Sequence, residues 1–428
     1  MNKTIRPSAL QGSVRIIPSK SASHRAVMLA AMAQGACTVG PLQLSRDIEA
    51  TLACAKALGL TGGAQLSPLP GGLVSASLIG GAGAACGPRT LYCGESGSTL
   101  RFFIPLALDG RGPVTFIGHG RLMQRPLGVY EELFLPRGVS WQKDGDRLTV
   151  EGCLTPGEYA LPGDVSSQFI TGLLLALPGL DGESVIRITT KLESRAYVEL
   201  TRRIQQAFGV VSRWADDHTL VIPGSQTPVS PGRFEVEGDW SHAAFYLVAG
   251  AIGRGGPVTL TGLDLQSTQG DRAILGILRG MGARITLQED GSIAARPSSL
   301  TGAEVDVSQT PDLVPALAVA MAAAKGESRI TGAGRLRIKE SDRLAAMRAA
   351  LCAAGADVTE LPDGLIIRGG NPLHAAAIDG CNDHRIVMAM AVASAIAEGD
   401  MVISDAEAVA KSALAFYDEF ASLGGIAL

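Results

Sequence analysis

Cationic, hydroxyl and carboxylate side chains gather at short polar turns, each directly ahead of an apolar run. PSKSASHR places Lys20 and Ser21 at a helix start with Arg25 one turn further on, so an ammonium, a hydroxyl and a guanidinium can meet one phosphate or carboxylate. GESGSTLR offers Gly97 for close backbone approach, Ser98 and Thr99 as donors and Arg101 on the helix that follows, and RLMQRP adds Arg121 and Arg125. GDVSSQF lines up Ser166, Ser167 and Gln168 as neutral donors suited to phosphate and hydroxyl groups, and SRAYVEL adds Ser194, Arg195 and Tyr197. Further on come Asp312 in TPDLVPAL, then Lys339, Glu340, Asp342 and Arg343 in KESDR. Asp383, His384 and Arg385 follow in CNDHR, with Lys411 and Ser412 in AVAKSALAF.

Taken singly, each turn has an ordinary explanation: a Ser or Asp cap, a solvated charged first turn, or a core-edge aromatic at Tyr197. Taken together they do not. Capping calls for Ser, Thr, Asp and Asn, whereas Lys and Arg at a helix N-terminus oppose the macrodipole. Their recurrence at the same strand-to-helix junction predicts a strongly cationic cleft in the empty protein, ready for two anions.

The elements that carry these turns repeat. A short apolar strand, a polar turn and an Ala/Leu-rich helix recur from Ile16, Leu91, Leu161, Val236, Val305 and Ile378, roughly 70 to 75 residues apart, a period longer than those of common solenoids. Each copy continues through a Gly-containing turn, a β-rich strand and a second helix, and KDGDRLTVEG, ADDHTLVIPG, QEDGSIAARP and LPDGLIIRGG read as hairpins. The unit is therefore βαβαββ, present six times. Two α/β domains of three units each are expected: residues 19–235, and residues 1–18 with 236–428. First helices whose N-termini converge would place an anion site in the cleft between the domains.

Composition narrows the classes. With 428 residues and 46% hydrophobic content the chain can fill more than one core, and a net charge of -4 supplies no general field for nucleic acid or anionic membrane. Seven cysteines without a CxxC pair read as reduced thiols. The N-terminus MNKTIRPSAL has no apolar signal core, and a soluble cytoplasmic protein is expected.

In this order, PSKSASHR, GESGSTLR, RLMQRP, SSQ, GDWS, TPD, KESDR, NDHR and VAKS resemble the EPSP synthase family along nearly the whole chain. The resemblance implies a two-domain inside-out α/β barrel of the enolpyruvyl transferase type. It implies transfer of the enolpyruvyl group of phosphoenolpyruvate to the 5-hydroxyl of 3-phosphoshikimate, with release of phosphate, in the shikimate pathway to chorismate. Matched motif by motif, Lys20, Ser21, Arg25, Ser166, Ser167, Gln168, Ser194, Tyr197, Asp312 and Lys339 correspond to contacts with 3-phosphoshikimate. Lys20, Gly97, Arg125, Gln168, Arg343, His384, Arg385 and Lys411 correspond to contacts with phosphoenolpyruvate. Asp312 is the implied proton acceptor, Glu340 the acid that handles the methylene proton, and Lys20 a catalytic contact to both substrates. Arg335 stands where many members carry a small polar residue.

Neither metal nor organic cofactor is required by this chemistry, and HExxH, paired-Cys and GxGxxG signatures are missing from the sequence. The expected partners are the two small-molecule substrates, with no nucleic acid, no membrane and a monomeric state. A sister enzyme acting on UDP-N-acetylglucosamine shares the implied fold and donor, but its catalytic-loop Cys has no counterpart around RLMQRP. A non-catalytic polyanion-binding protein would use the cations but not Asp312 and Glu340.

Overall fold

Six four-stranded sheets, all built to one plan, make up the computed structural model, which describes residues 1–81, 83 and 86–428. In the sheet containing Arg89–Gly94, that strand runs parallel to Val114–Gly118, which pairs antiparallel with Arg147–Glu151, itself the partner of Ser140–Asp144. This is the βαβαββ order, because the parallel pair needs a helical crossover and the antiparallel pair only a tight turn. Among the described residues the six sheets share no hydrogen-bonded strands with one another.

The chain divides into two compact units, Pro18–Val236 and Met1–Ile17 with Glu237–Leu428, each holding three of the sheets and its own core. Three sheets borrow strands from distant sequence. Gly12–Arg15 pairs with Val258–Thr261, and Arg233–Glu235 pairs with Ala36–Leu42. The sixth sheet takes its last two strands from the chain ends, with Lys3–Arg6 between Met401–Ile403 and Ile426–Ala427. A hairpin of Thr61–Leu69 and Leu73–Gly80 completes the first sheet of the Pro18–Val236 unit.

Six helices follow the polar turns: α1 (Lys20–Met32), α2 (Gly97–Ala107), α3 (Ser167–Ala176), α4 (Trp240–Ile252), α5 (Val314–Ala323) and α6 (His384–Ala393). They are apolar nearly all round, and such helices belong inside. All thirteen residues of α4 are buried. Within Pro18–Val236, α2 packs on α3 where Gly172 leaves no room for a Cβ beside the Arg101 carbonyl and the Tyr130 hydroxyl. That hydroxyl donates to the carbonyls of Arg101 and Phe169 at 3.1 and 2.8 Å and ties the two helices together. Phe169 is fully buried there, and truncating it to Ala would cost about 3–5 kcal/mol.

Burying helices end-on requires that their first N–H groups be capped. Ser19, Ser96, Ser166, Asp239 and Asp383 cap α1, α2, α3, α4 and α6 through their side chains. The polar turns therefore sit at buried helix starts, where the charged neighbours of the caps are fixed in direction.

Candidate active site

Within Pro18–Val236, Arg25 is the most enclosed of the charged expected ligands, at 3% exposure. Its Nε donates to Thr201 Oγ1 at 2.7 Å, its Nη1 to the Ser21 carbonyl at 2.8 Å, and its Nη2 to Thr171 Oγ1 at 3.2 Å. These partners are neutral. Burial lowers the guanidinium to about 10, which leaves it charged at neutral pH with its attraction for an anion unspent. Phe102 and Tyr197 lie beneath it, with ring centroids 5.1 and 6.0 Å away. Lys20, in contrast, already pairs with Asp47 at 3.0 Å.

Gln168 is held from both ends of its amide: Oε1 accepts from Arg101 Nη1 at 2.6 Å and Nε2 donates to Ser98 Oγ at 3.0 Å. The starts of α2 and α3 are thereby joined. A Cβ on Gly97 would lie 2.7 Å from Arg125 Nη1, so the arginine rests directly against the first turn of α2. Arg125 is buried while Arg121 is exposed, which separates the two cations of RLMQRP. Ser167 is buried, Ser166 is half-buried, and Ser194 precedes helix Arg195–Ala207 in the left-handed region at φ 55°. That helix packs against α3, which brings Ser194 and Tyr197 to the same region as the SSQ motif. Arg195 has a different place, over the Trp214 ring and beside Asp217.

The other unit centres on Arg343, 2% exposed. Its Nε and Nη2 bind Asp383 at 2.8 and 3.2 Å, its Nη1 binds Asp312 Oδ1 at 3.0 Å, and its Nη2 also binds Glu340 Oε2 at 2.8 Å. Arg385 approaches the other face of Asp312, with Nη2 3.3 Å from Oδ2 and Nη1 3.2 Å from the backbone carbonyl. Burial pushes the Asp312 carboxyl up, but the charges of Arg385, Lys339 and Arg343 overcome it and hold the group far below the usual carboxylate range. His384 is buried at the first turn of α6, its Nδ1 3.8 Å from Asp383 Oδ1, and the Lys411 ammonium donates to the Asn382 carbonyl at 2.7 Å.

This corrects the expectation of an uncompensated cationic cluster. In this unit Arg343 and Arg385 share Asp312, Glu340 and Asp383, so an arriving anion exchanges partners instead of meeting bare charge. Folding explains it: buried guanidiniums without carboxylates would each carry a heavy desolvation cost. Arg335, at the unusual position, turns its Nη2 to the Ser308 carbonyl at 2.7 Å.

Several residues of the network were not singled out from sequence. Asp47, on helix Arg46–Ala57, and the neutral His24, on α1, are among them, since their partners stand on other elements. Burial first, then the charges of Lys20 and Arg25, keep the His24 ring unprotonated, and its Nδ1 joins a chain of hydroxyls through Thr51 and Thr99 to Ser96. The signal available was an Asp or His beside the motifs, without any indication of what it would face.

The model of the family EPSP synthase (3-phosphoshikimate 1-carboxyvinyltransferase) matches residues 5–420. A 3-phosphoshikimate 1-carboxyvinyltransferase of Clostridium kluyveri is 42% identical over 424 residues, covering 99% of this chain and 97% of its own. The protein of that name from Clostridium novyi is 43% identical over 429 residues, with 99% and 98% covered. The structure of EPSP synthase from Acinetobacter baumannii matches with a TM-score of 0.79 at 27% identity, covering 100% of this chain and 99% of that one. The enolpyruvyl transferase NikO from Streptomyces tendae, at 17% identity and TM-score 0.80 over 100% and 98%, shares the fold. With the family model spanning nearly all residues and relatives of this identity along their full length, the chain belongs to the EPSP synthase family.

Proposed function

We propose that this chain transfers the enolpyruvyl group of phosphoenolpyruvate to the 5-hydroxyl of 3-phosphoshikimate, giving 5-enolpyruvylshikimate 3-phosphate and phosphate. The observation that carries the residue assignment is the joint hold of Arg343 on Asp312 and Glu340, which fixes two half-buried carboxyls in one network. Addition needs a base for the hydroxyl and an acid for the methylene carbon, on different sides of the reacting bond. We assign Asp312 to the hydroxyl and Glu340 to the methylene.

In the first step the 5-oxygen bonds to C2 of phosphoenolpyruvate while its proton passes to Asp312. The methylene carbon takes a proton from Glu340 and becomes a methyl group. In the second step Glu340 removes a methyl proton, the C2–C3 double bond reforms, and the bond from C2 to the phosphate oxygen breaks as the hydroxyl proton held on Asp312 passes to the departing phosphate. Protons and bonds balance across the two steps, with no oxidant or metal called for. The tetrahedral intermediate is richly anionic, and preoriented Arg and Lys groups stabilise it without having to reorganise.

Ser21, Arg25, Ser166, Ser167, Gln168, Ser194 and Tyr197, with Asp312 and Lys339, are assigned to 3-phosphoshikimate. Gly97, Arg125, Gln168, Arg343, His384, Arg385 and Lys411 are assigned to phosphoenolpyruvate, and Lys20 to both. Release from Asp47 frees Lys20 for them. Among the described residues no helix is long and apolar enough to cross a membrane; a monomer working in the cytoplasm is part of this proposal.

Phosphate release from phosphoenolpyruvate, measured with the purified protein and each acceptor in turn, tests the reading. Release with 3-phosphoshikimate and none with UDP-N-acetylglucosamine is expected. Release with the nucleotide sugar alone would move the chain to the sister activity, and binding without release from either would reduce it to a polyanion binder.

A further inference from the structure

A second carboxyl, for which the reaction above has no use, is buried in the same unit as Asp312. Asp271 sits in the helical turn Gly270–Ala273 and is 2% exposed. Its Oδ2 accepts a hydrogen bond from Ser241 Oγ in the first turn of α4, and its Oδ1 is buried without a hydrogen bond. Gln269 pins the turn in place, donating from Nε2 to the Gly238 carbonyl at 2.8 Å and accepting from the Trp240 N–H at 3.1 Å.

The charges that act on Asp271 come from three elements: Asp312 ahead of α5, Arg385 on α6 and the α4 cap Asp239. Burial, then repulsion from Asp312, outweigh the attraction of Arg385 and push the Asp271 carboxyl up to about 7. An Asn in this turn would fill the same volume without placing a charge in the interior. A buried carboxyl with one unsatisfied oxygen destabilises the fold, and a local conflict of this kind marks groups kept for function.

We propose that Asp271 is a positioning residue of the transfer, anchored by Ser241 and acting through Asp312 and Arg385. Ionised Asp271 repels the Asp312 anion and so strengthens it as a base; it also moderates the positive charge of Arg385. Protonated Asp271 does neither, leaving Asp312 a weaker base between its arginines. The inference rests on the assignment of Asp312 and Arg385 made above.

The test is kcat with both substrates saturating, followed from about pH 5.5 to about pH 9, so that groups of the bound enzyme are read. The wild type is expected to lose activity as pH falls through an inflection near neutrality. Asp271→Asn should be flat through that window, with kcat lowered about tenfold at its plateau and the KM for phosphoenolpyruvate not raised. Ser241→Ala removes a hydrogen bond that favours the ionised carboxyl, so its inflection should move to higher pH; it decides the matter if the Asn variant does not fold. An inflection retained in Asp271→Asn, unmoved in Ser241→Ala or missing from the wild type would overturn the proposal. Asp312→Ala in the same series separates the two readings. Unchanged turnover there removes the base itself, whereas lost turnover there with an inflection retained in Asp271→Asn removes only the role of Asp271.

Discussion

Gly97 and Arg125 are in contact such that a single added methyl on the glycine would lie 2.7 Å from the guanidinium. The backbone of Gly97 is helical and accepts alanine without strain, so the cost falls on the arginine and not on the fold. Gly97→Ala should therefore keep the wild-type melting temperature while raising the KM for phosphoenolpyruvate about tenfold, the scale of one charge-assisted contact. Steady-state kinetics with 3-phosphoshikimate saturating would show it. An unchanged KM would mean that Arg125 does not serve this substrate.

Arg25 reaches Thr171 and Thr201 on two different helices through its fork. Lysine carries the same charge but cannot span both hydroxyls. Arg25→Lys should weaken 3-phosphoshikimate binding by about tenfold or more in isothermal titration, with the phosphoenolpyruvate KM little altered. The reverse pattern would exchange the substrates assigned to these cations.

How much of this was legible in the sequence depends on distance along the chain. Helix starts such as SKSASHR and NDHR were readable because a cap, a charge and an apolar run are local signals. The hairpin Thr61–Leu69 with Leu73–Gly80 was not read, since GGAQLSPLPGGLVSASL lacks a clean alternation, and the antiparallel pair at the chain ends joins residues 3–6 to 426–427. Partners were the least visible. Nothing in KESDR says that Arg343 binds Asp383 forty residues on, or in SKS that Lys20 binds Asp47. In the unit of Arg343 the expectation of a strongly cationic cluster failed for that reason.

Arg343 and Asp383 form a buried pair in which the aspartate side chain is fully enclosed. Arg343→Met would leave that carboxylate uncompensated and would take one partner each from Asp312 and Glu340. Loss of about 3–5 kcal/mol is expected, the usual cost of removing one partner of a buried pair. A urea titration would report it as a lower midpoint; an unchanged midpoint would show that the carboxylates find other partners.

Asp271 also makes stability depend on pH. Its folded carboxyl titrates near 7, well above the roughly 4 of an unfolded aspartate, so the folded state loses stability as pH rises across that interval. Asp271→Asn has no such loss. Its melting temperature relative to the wild type should be higher at about pH 8 than at about pH 5. A difference that does not change with pH would show that Asp271 titrates normally.

The assignment of Asp312 and Glu340 to opposite ends of one proton traffic is tested most directly by the methylene protons of phosphoenolpyruvate. In deuterated solvent with 3-phosphoshikimate present, reversible addition replaces them with deuterium, and proton NMR follows the loss of signal. Glu340→Gln cannot deliver or remove the proton and should slow this exchange by about 100-fold or more, while titration shows both substrates still bound. Exchange at the wild-type rate in Glu340→Gln would contradict the account.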